Sequence, residues 1–134
     1  HRAGCWRRRM AHETAVHRWD AEAAAGRARP LDAELAADGI DEYFTVFLRA
    51  PQPSYGGPRG TLHVHRLDGP GEWLVHLRPG MPVVERGHAR ADAALRGTAS
   101  DLLLVLWRRR PVTSVALVGD AALVEGLLTW VDLS

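Results

Sequence analysis

Two residues near the start of the chain have the types and the spacing of metal ligands. Glu13 and His17 lie four positions apart in RRRMAHETAVHRWDAE (7–22), so on a helix their side chains project from one face. A carboxylate oxygen and an imidazole nitrogen placed in this way can each approach a divalent metal to about 2 Å. Asp20 falls on the same face and could orient His17 without binding the metal itself. Two ligands do not complete a zinc site, and the neighbouring sequence offers no obvious third.

The spacing of this pair also fits an ordinary polar contact on a solvated helix face, worth about 0.2–0.5 kcal/mol. The helix that carries it is predicted over residues 5–25. His12 lies about 100° round this helix from Glu13, so we expect it to be packed or exposed and not to bind the metal. Val16 and Trp19 belong to the same apolar flank as His12. One helix cannot form its own core, so this flank should pack on the rest of the chain or on a second copy.

Histidines form a second candidate group. The alternation in TLHVHRLD (61–68) places His63 and His65 on one face of a predicted strand, and His76 falls on the next strand. If the register brings the three together, they form a three-histidine cluster. The alternative, which is commoner for such short patterns, is a set of half-exposed histidines on the face of the sheet that carries no helix.

Composition excludes several classes of protein. The 134 residues carry a formal charge of +1, so the arginine clusters at 7–9 and 108–110 do not predict binding to nucleic acid. The single Cys5 excludes an internal disulfide and fits a reducing cytoplasm. We expect Cys5 to be a packed small residue and not a nucleophile. Neither a membrane-spanning run nor a signal peptide is present in the sequence.

All seventeen basic residues are arginine, and the chain contains no lysine and no asparagine. Such a skew is typical of GC-rich coding, as in actinobacteria. The chain begins at His1 and enters a helix almost at once. We therefore expect it to be a fragment of a longer protein.

The elements that must position the candidate residues follow from hydrophobic periodicity and turn residues. Residues 32–49 are predicted to be helical, with Asp32 as N-cap and Gly39 as a point at which the region could divide. A helix with Ser100 as its candidate cap is predicted over 99–109. The remaining predicted elements are four strands at 61–68, 72–79, 81–87 and 91–97, a buried strand at 113–120 and a closing helix at 121–131.

This order of elements predicts an α+β fold, with a mostly antiparallel sheet of about five strands covered by helices and preceded by one long helix. The linker RARP (27–30) suggests a boundary between that helix, residues 1–27, and an α+β domain, residues 28–134.

Several stretches together resemble a known family. They are HETAVHRWDAE (12–22), GTLHVHRLDGPGEWLVHL (60–77), RGTASDLLLVLWRRRP (96–111) and VALVGDAALVEGLL (115–128). Together they are similar to the actinobacterial mycothiol-dependent maleylpyruvate isomerase family. The resemblance implies a C-terminal sterol-carrier-like domain preceded by a DinB-like four-helix bundle.

In that family pattern the last bundle helix carries a Glu and a His four apart, just before a Trp-Asp or Val-Asp pair. Glu13, His17, Trp19 and Asp20 match it. The family completes its zinc site with a histidine of an earlier helix, whereas this sequence shows only one helix of such a bundle. The resemblance therefore implies half of a zinc site, with mycothiol as the thiol cofactor and a small molecule as substrate of an isomerase or transferase.

Two further hypotheses concern the α+β domain. It could bind an apolar ligand, because the helices at 102–106 and 123–131 correspond to ones that can line a lipid tunnel in sterol-carrier-like domains. It could instead mediate protein interactions, including a homodimer formed through the exposed N-terminal helix.

Overall fold

The computed structural model describes residues 2–47, 56–79 and 83–131 of the chain. The elements occur close to the predicted positions and in the predicted order. They are α1 (Arg2–Ala24), α2 (Ala33–Glu42), which continues into a π-helical turn (Tyr43–Phe47), β1 (Gly60–Arg66), β2 (Glu72–Leu77), β3 (Val83–Arg86), β4 (Ala93–Gly97), α3 (Ala99–Leu106), a 3-10 turn (Val112–Ser114), β5 (Ala116–Gly119) and α4 (Ala121–Trp130).

The five strands form one sheet in the order β3-β2-β1-β4-β5. The pairs β1–β2, β2–β3 and β4–β5 are antiparallel, and β1–β4 is parallel. The α+β class and the mostly antiparallel sheet are therefore confirmed. The prediction that residues 113–120 form a buried strand was wrong: β5 lies at an edge of the sheet, and the side chain of Val118 is 57% exposed.

The connection from β3 to β4, residues 87–92, has to cross β2 and β1 to reach the other half of the sheet. Arg86 pairs with Trp73 on β2, which in turn pairs with Val64 on β1, and Ala93 pairs with Leu62, two residues earlier on β1. Three strand spacings amount to about 14 Å, which six residues with an extended reach of about 20 Å can cover. We call residues 87–92 the crossover segment.

The far end of the crossover segment is fixed to β1 by reciprocal hydrogen bonds. The backbone N–H of Thr61 donates to Asp92 Oδ2 over 2.9 Å, and the backbone N–H of Asp92 donates to Thr61 Oγ1 over 2.9 Å. Gly87, at the near end, has φ 144°, a conformation that side chains disfavour. The segment therefore has defined ends on both sides of the face that it crosses.

The hydrophobic core lies between the other face of the sheet and the helices. The strands contribute alternate residues to it, and α2, α3 and α4 contribute their apolar stripes. Its largest fully buried side chains are Trp73, Tyr43, Phe44, Ile40, Leu62, Leu95, Leu102, Leu103, Leu104, Leu106 and Leu127. In the described part of the chain, these side chains form the centre of the core.

Local details of α2 and α3 differ in part from the predictions. Asp32 caps α2 as expected, its carboxylate accepting from the N–H of Leu35 over 3.0 Å. Gly39 does not divide the helix; a Cβ there would lie 2.8 Å from a methyl carbon of Leu103, so the glycine lets α3 pack closely. Ser100 is not the cap of α3: Thr98 has that role, and the buried Ser100 hydroxyl accepts from the N–H of Leu31.

Helix α1 packs on the α+β domain through its predicted flank. Val16 is fully buried in the shared core, and Trp19 packs against that core. His12 is 1% exposed, and its Nδ1 lies 2.9 Å from Oε1 of the buried Glu42 on α2. The expectation that the flank contacts the rest of the chain is confirmed.

Ion pairs flank this buried contact. Arg8 donates to the carboxylates of Asp38 and Asp41, over 2.9 and 3.0 Å. Burial of Asp38 would raise its pKa, but the hydrogen bond and the charge of Arg8 outweigh it, so the pKa lies below the ordinary 3.8. Together the buried and exposed contacts fix the rotation of α1 about its own axis.

Candidate functional site

Glu13 and His17 lie on the half of α1 that points away from the domain. Glu13 is half-buried, and Arg9 Nε donates to its Oε1 over 3.1 Å. The His17 side chain is 71% exposed, so its imidazole is open to solvent. Both donors can therefore be reached from outside the domain.

Asp20 contacts His17 only loosely. Its Oδ2 lies 3.8 Å from His17 Nδ1, which is longer than a hydrogen bond. The same carboxylate accepts hydrogen bonds of 3.2–3.3 Å from Arg109, which follows α3. Asp20 thus ties α1 to the end of α3.

The donor set on α1 fits half of a zinc site. Carboxylate and imidazole are ordinary zinc ligands, and the i,i+4 spacing puts them on one face. A protein site normally supplies three or four ligands. Within residues 2–47, 56–79 and 83–131, Glu13, His17 and Asp20 do not form a group of three donors close enough to share one ion.

The same face of α1 carries two large apolar side chains. Trp6 and Met10 precede Glu13 and His17 with spacings of four, three and four residues, which on a helix form a single stripe. Trp6 is 67% exposed and Met10 is also exposed. Exposed apolar side chains of this size are typical of a surface on which another structural element packs. Here they lie in line with Glu13 and His17, which could bind a metal ion.

A second group of donors lies on the open face of the sheet. Glu72 stands opposite His65 in the β1–β2 register, so its side chain shares a face with His63 and His65. Its Oε1 lies 3.0 Å from His63 Nε2, 2.9 Å from His88 Nδ1 and 3.8 Å from His65 Nδ1. We call His63, His65, Glu72 and His88 the histidine–glutamate cluster.

Burial within this cluster increases toward the centre of the sheet. His63 is buried, Glu72 and His65 are half-buried, and His88 on the crossover segment is 66% exposed. The His88 ring lies edge-on to that of His63, with 5.0 Å between centroids. The hydrogen bond from His88, with the one from His63, holds the pKa of the Glu72 carboxyl below its ordinary value.

The sequence identified half of this cluster. His63 and His65 are neighbours as predicted, with 5.8 Å between ring centroids. His76 is not a member: it stands opposite Thr61, and its Nε2 lies 3.2 Å from Oε2 of Glu85 on β3. Only a β1–β2 pairing shifted by two residues would place His76 opposite His63.

The two members missed by sequence reasoning are Glu72 and His88. A hairpin register counted outward from the turn DGPG could have placed Glu72 opposite His65. His88 could not have been found in this way, because its position depends on the crossover segment passing over β2.

Members of both arginine clusters pair with acidic side chains. Arg8 pairs with two aspartates on α2, Arg9 with Glu13, and Arg110 with Asp101 over 2.7 Å. The side chain of Cys5 lies outside the described part of the structure. In the described residues no helix combines the length and apolarity that crossing a membrane requires.

Comparison with known proteins gives a family and a fold. The family model described as the MDMPI C-terminal domain matches residues 34–126, which confirms the resemblance to the maleylpyruvate isomerase family for that part of the chain. A search of curated proteins found no match.

Solved structures show the sterol-carrier-like fold. Sterol carrier protein 2 like 2 from Aedes aegypti is 20% identical, with a TM-score of 0.54 over 75% of this chain and 100% of that one. A double mutant of the sec-alkyl sulfatase PisA1 is 18% identical, with a TM-score of 0.58 over 70% of this chain and 16% of that one. The stereoselective inverting sec-alkylsulfatase Pisa1 from Pseudomonas sp. is 20% identical, with a TM-score of 0.50 over 76% of this chain and 16% of that one. The chain thus spans only about a sixth of the sulfatases' length.

Proposed function

Because the chain belongs to the family of MDMPI C-terminal domains, we propose that it is the C-terminal part of a zinc- and mycothiol-dependent isomerase or transferase. In this proposal Glu13 and His17 are two of the zinc ligands, and a small molecule is the substrate. The long helix α1 (within residues 1–27) is the last helix of a DinB-like bundle, and residues 28–134 are the sterol-carrier-like domain.

The observation that carries this proposal is the outward face of α1. One side of the helix is fixed in the domain by His12 and Val16, while Glu13 and His17 point to solvent. The exposed side chain of Trp6 lies in line with them, as expected if further helices cover this face. The family resemblance implies that a histidine of one of those helices completes the site.

The α+β domain then has a positioning role. Asp20 is held by Arg109, and Arg8 is held by Asp38, so α1 cannot turn about its axis without breaking both contacts. A metal site requires its ligands within a few tenths of an ångström. The domain supplies that rigidity to Glu13 and His17.

A zinc ion bound there would polarise a substrate carbonyl and favour the thiolate form of a bound thiol. Glu13 must move its carboxylate from Arg9 toward the ion, and Arg9 then remains beside it as a positive group. His17 has only a loose contact with Asp20, so its ring nitrogens are accessible to the ion. Mycothiol is an expectation from the family, and no residue is assigned to it.

The test is the metal content of the full-length protein, purified without chelator, together with its mycothiol-dependent isomerase activity. Glu13→Gln and His17→Ala should each remove most of the zinc and the activity. Thr14→Ala, on the exposed side of the same helix, is the matched control and should retain both. Full zinc content and activity in both ligand variants would show that the proposal is wrong.

The alternative function is carriage of an apolar ligand or mediation of protein interactions. It rests on the fold shared with sterol carrier protein 2 like 2. Leu103 and Phe44 are among the described side chains that are buried between the sheet and the helices, so a ligand bound at their positions would have to displace them. Native mass spectrometry after lipid extraction would detect such a ligand, and a homodimer would appear in the same spectra.

A further inference from the structure

We propose that the histidine–glutamate cluster binds one divalent first-row transition-metal ion, of which Zn²⁺ is the test case. His63, Glu72 and His88 would be the ligands, and His65 lies beside them as a fourth. This site is on the open face of the sheet, and none of its residues belongs to α1. It is therefore separate from the zinc site proposed on Glu13 and His17.

The spacing of the donor atoms fits one ion. His63, Glu72 and His88 each offer a ligand atom, and these three atoms lie within 4.8 Å of one another. Two ligands of a tetrahedral zinc ion with bonds of about 2.0–2.1 Å are about 3.3 Å apart. The distances from Glu72 Oε1 to His63 Nε2 and His88 Nδ1, 3.0 and 2.9 Å, are slightly shorter. Small rotations of the side chains would open the space for an ion.

The cluster is also held in place before any ion arrives. His63 and Glu72 stand on adjacent paired strands, so the register fixes the distance between their Cα atoms. His63 is buried beside His88 of the crossover segment, and its Nε2 already lies 3.0 Å from Glu72 Oε1. His88 lies outside the regular strands, and its side chain is 66% exposed. Because His63 and Glu72 are already placed by the sheet, ordering the site on binding costs mainly the freedom of the His88 side chain.

The donor types select the class of ion. Two imidazoles and a carboxylate suit Zn²⁺, Co²⁺, Ni²⁺ or Cu²⁺, whereas Mg²⁺ and Ca²⁺ prefer oxygen ligands throughout. Two histidines and a glutamate also form the protein ligand set of several zinc enzymes, with the fourth position open. Here that position faces either His65, whose Nδ1 lies 3.8 Å from Glu72 Oε1, or solvent beside the exposed His88.

The competing interpretation involves no metal. In it, Glu72 is only a shared hydrogen-bond acceptor that joins the crossover segment to the sheet through its histidine neighbours. Both interpretations predict that Glu72 matters for stability, so stability in the absence of metal does not separate them. Direct measurement of metal binding does.

The experiment uses the full chain, freed of metal with a chelator and dialysed, and titrated with Zn²⁺ by isothermal calorimetry. Co²⁺ is added in parallel, because its visible absorption reports nitrogen and oxygen ligands in a tetrahedral site. The test variants are His88→Ala, which removes an exposed side chain and should not prevent folding, and Glu72→Gln. The matched control is His76→Ala, on the same strand as Glu72, and His17→Ala on α1 is a separate variant that reports whether an ion binds at the site proposed there.

We expect one Zn²⁺ to bind to this cluster in the parent chain, with its affinity reduced at least about tenfold by either test variant and unchanged by His76→Ala. The melting temperature should rise with Zn²⁺ in the parent chain and not in His88→Ala. Absence of binding, or binding that survives both test variants, overturns the proposal. Binding lost only in His17→Ala also overturns it, because the ion then belongs to α1 and supports the function proposed above.

Discussion

The buried contact between α1 and α2 provides the sharpest test of how the helix is held. We expect His12→Ala to destabilise the protein by about 3 kcal/mol, because the Glu42 carboxylate would stay buried without its imidazole partner. Leaving a buried polar group unpaired costs about 1–3 kcal/mol, and a buried charge without its partner costs about 3–5 kcal/mol. Loss of the ring's packing adds to this cost.

A double-mutant cycle separates the contact from the packing. His12→Ala and Glu42→Ala should each be destabilising, and the double variant should be more stable than their sum predicts by about 1.5–3 kcal/mol. The free energy of unfolding is measured in urea by circular dichroism. With a slope of about 2 kcal/mol per molar, a loss of 3 kcal/mol lowers the midpoint by about 1.5 M.

Thr14→Ala is the control for this cycle, since Thr14 is exposed on the same helix and should change the stability by less than about 0.5 kcal/mol. The reasoning would be refuted by a cost below about 0.5 kcal/mol for His12→Ala together with additive behaviour in the cycle. In that case α1 would be held by its apolar contacts and its surface ion pairs, and the His12–Glu42 contact would contribute little.

Two further predictions concern the sheet and its connections. Asp68 accepts from the N–H of Ala99 and from Arg66, and these bonds outweigh its burial and hold its pKa below the ordinary 3.8. The ionised Asp68 therefore stabilises the folded state fully above about pH 3.8, and this stabilisation is lost as the pH falls through the lower pKa of the folded state. Between pH 7 and pH 2.5 the urea midpoint should fall less steeply in Asp68→Asn than in the parent chain. Gly119→Ala should cost about 2 kcal/mol or more in urea unfolding, because φ is 93° and the new Cβ would meet the backbone of Asp92. Gly4→Ala, where a Cβ meets open space in a helix, is its control and should stabilise by up to about 1 kcal/mol.

Much of the fold could be predicted from the sequence, because local signals agree with one another. The hydrophobic periodicity of α1 placed His12, Val16 and Trp19 on one flank, and that flank is the buried one. The turn residues between the strands predicted where each strand begins and ends to within a few positions. These features depend on residues a few positions apart, which is the range over which side-chain pattern and backbone geometry are coupled.

What could not be predicted depends on topology. The apolar run at 113–120 indicates burial, yet β5 is an edge strand, because its place is decided by pairing with β4 and by nothing in its own sequence. His88 joins the cluster for the same kind of reason. Its distance from His63 in the chain is 25 positions, and only the path of the crossover segment brings them together.

The position of β1 in the middle of the sheet has a consequence for the order in which the chain folds. Its partner β2 follows after a short turn, so that hairpin closes at low entropic cost. Its other partner β4 must return across 31 positions, the separation of Thr61 and Asp92. Contacts between residues far apart in the sequence slow folding, because the chain must lose conformational entropy to close the long loop before these contacts can form. We infer that β1, β2 and β3 pair first and that β4 and β5 are added last. Substitutions that destabilise the crossover segment should then slow refolding only if this segment is already ordered in the transition state, before β4 pairs with β1.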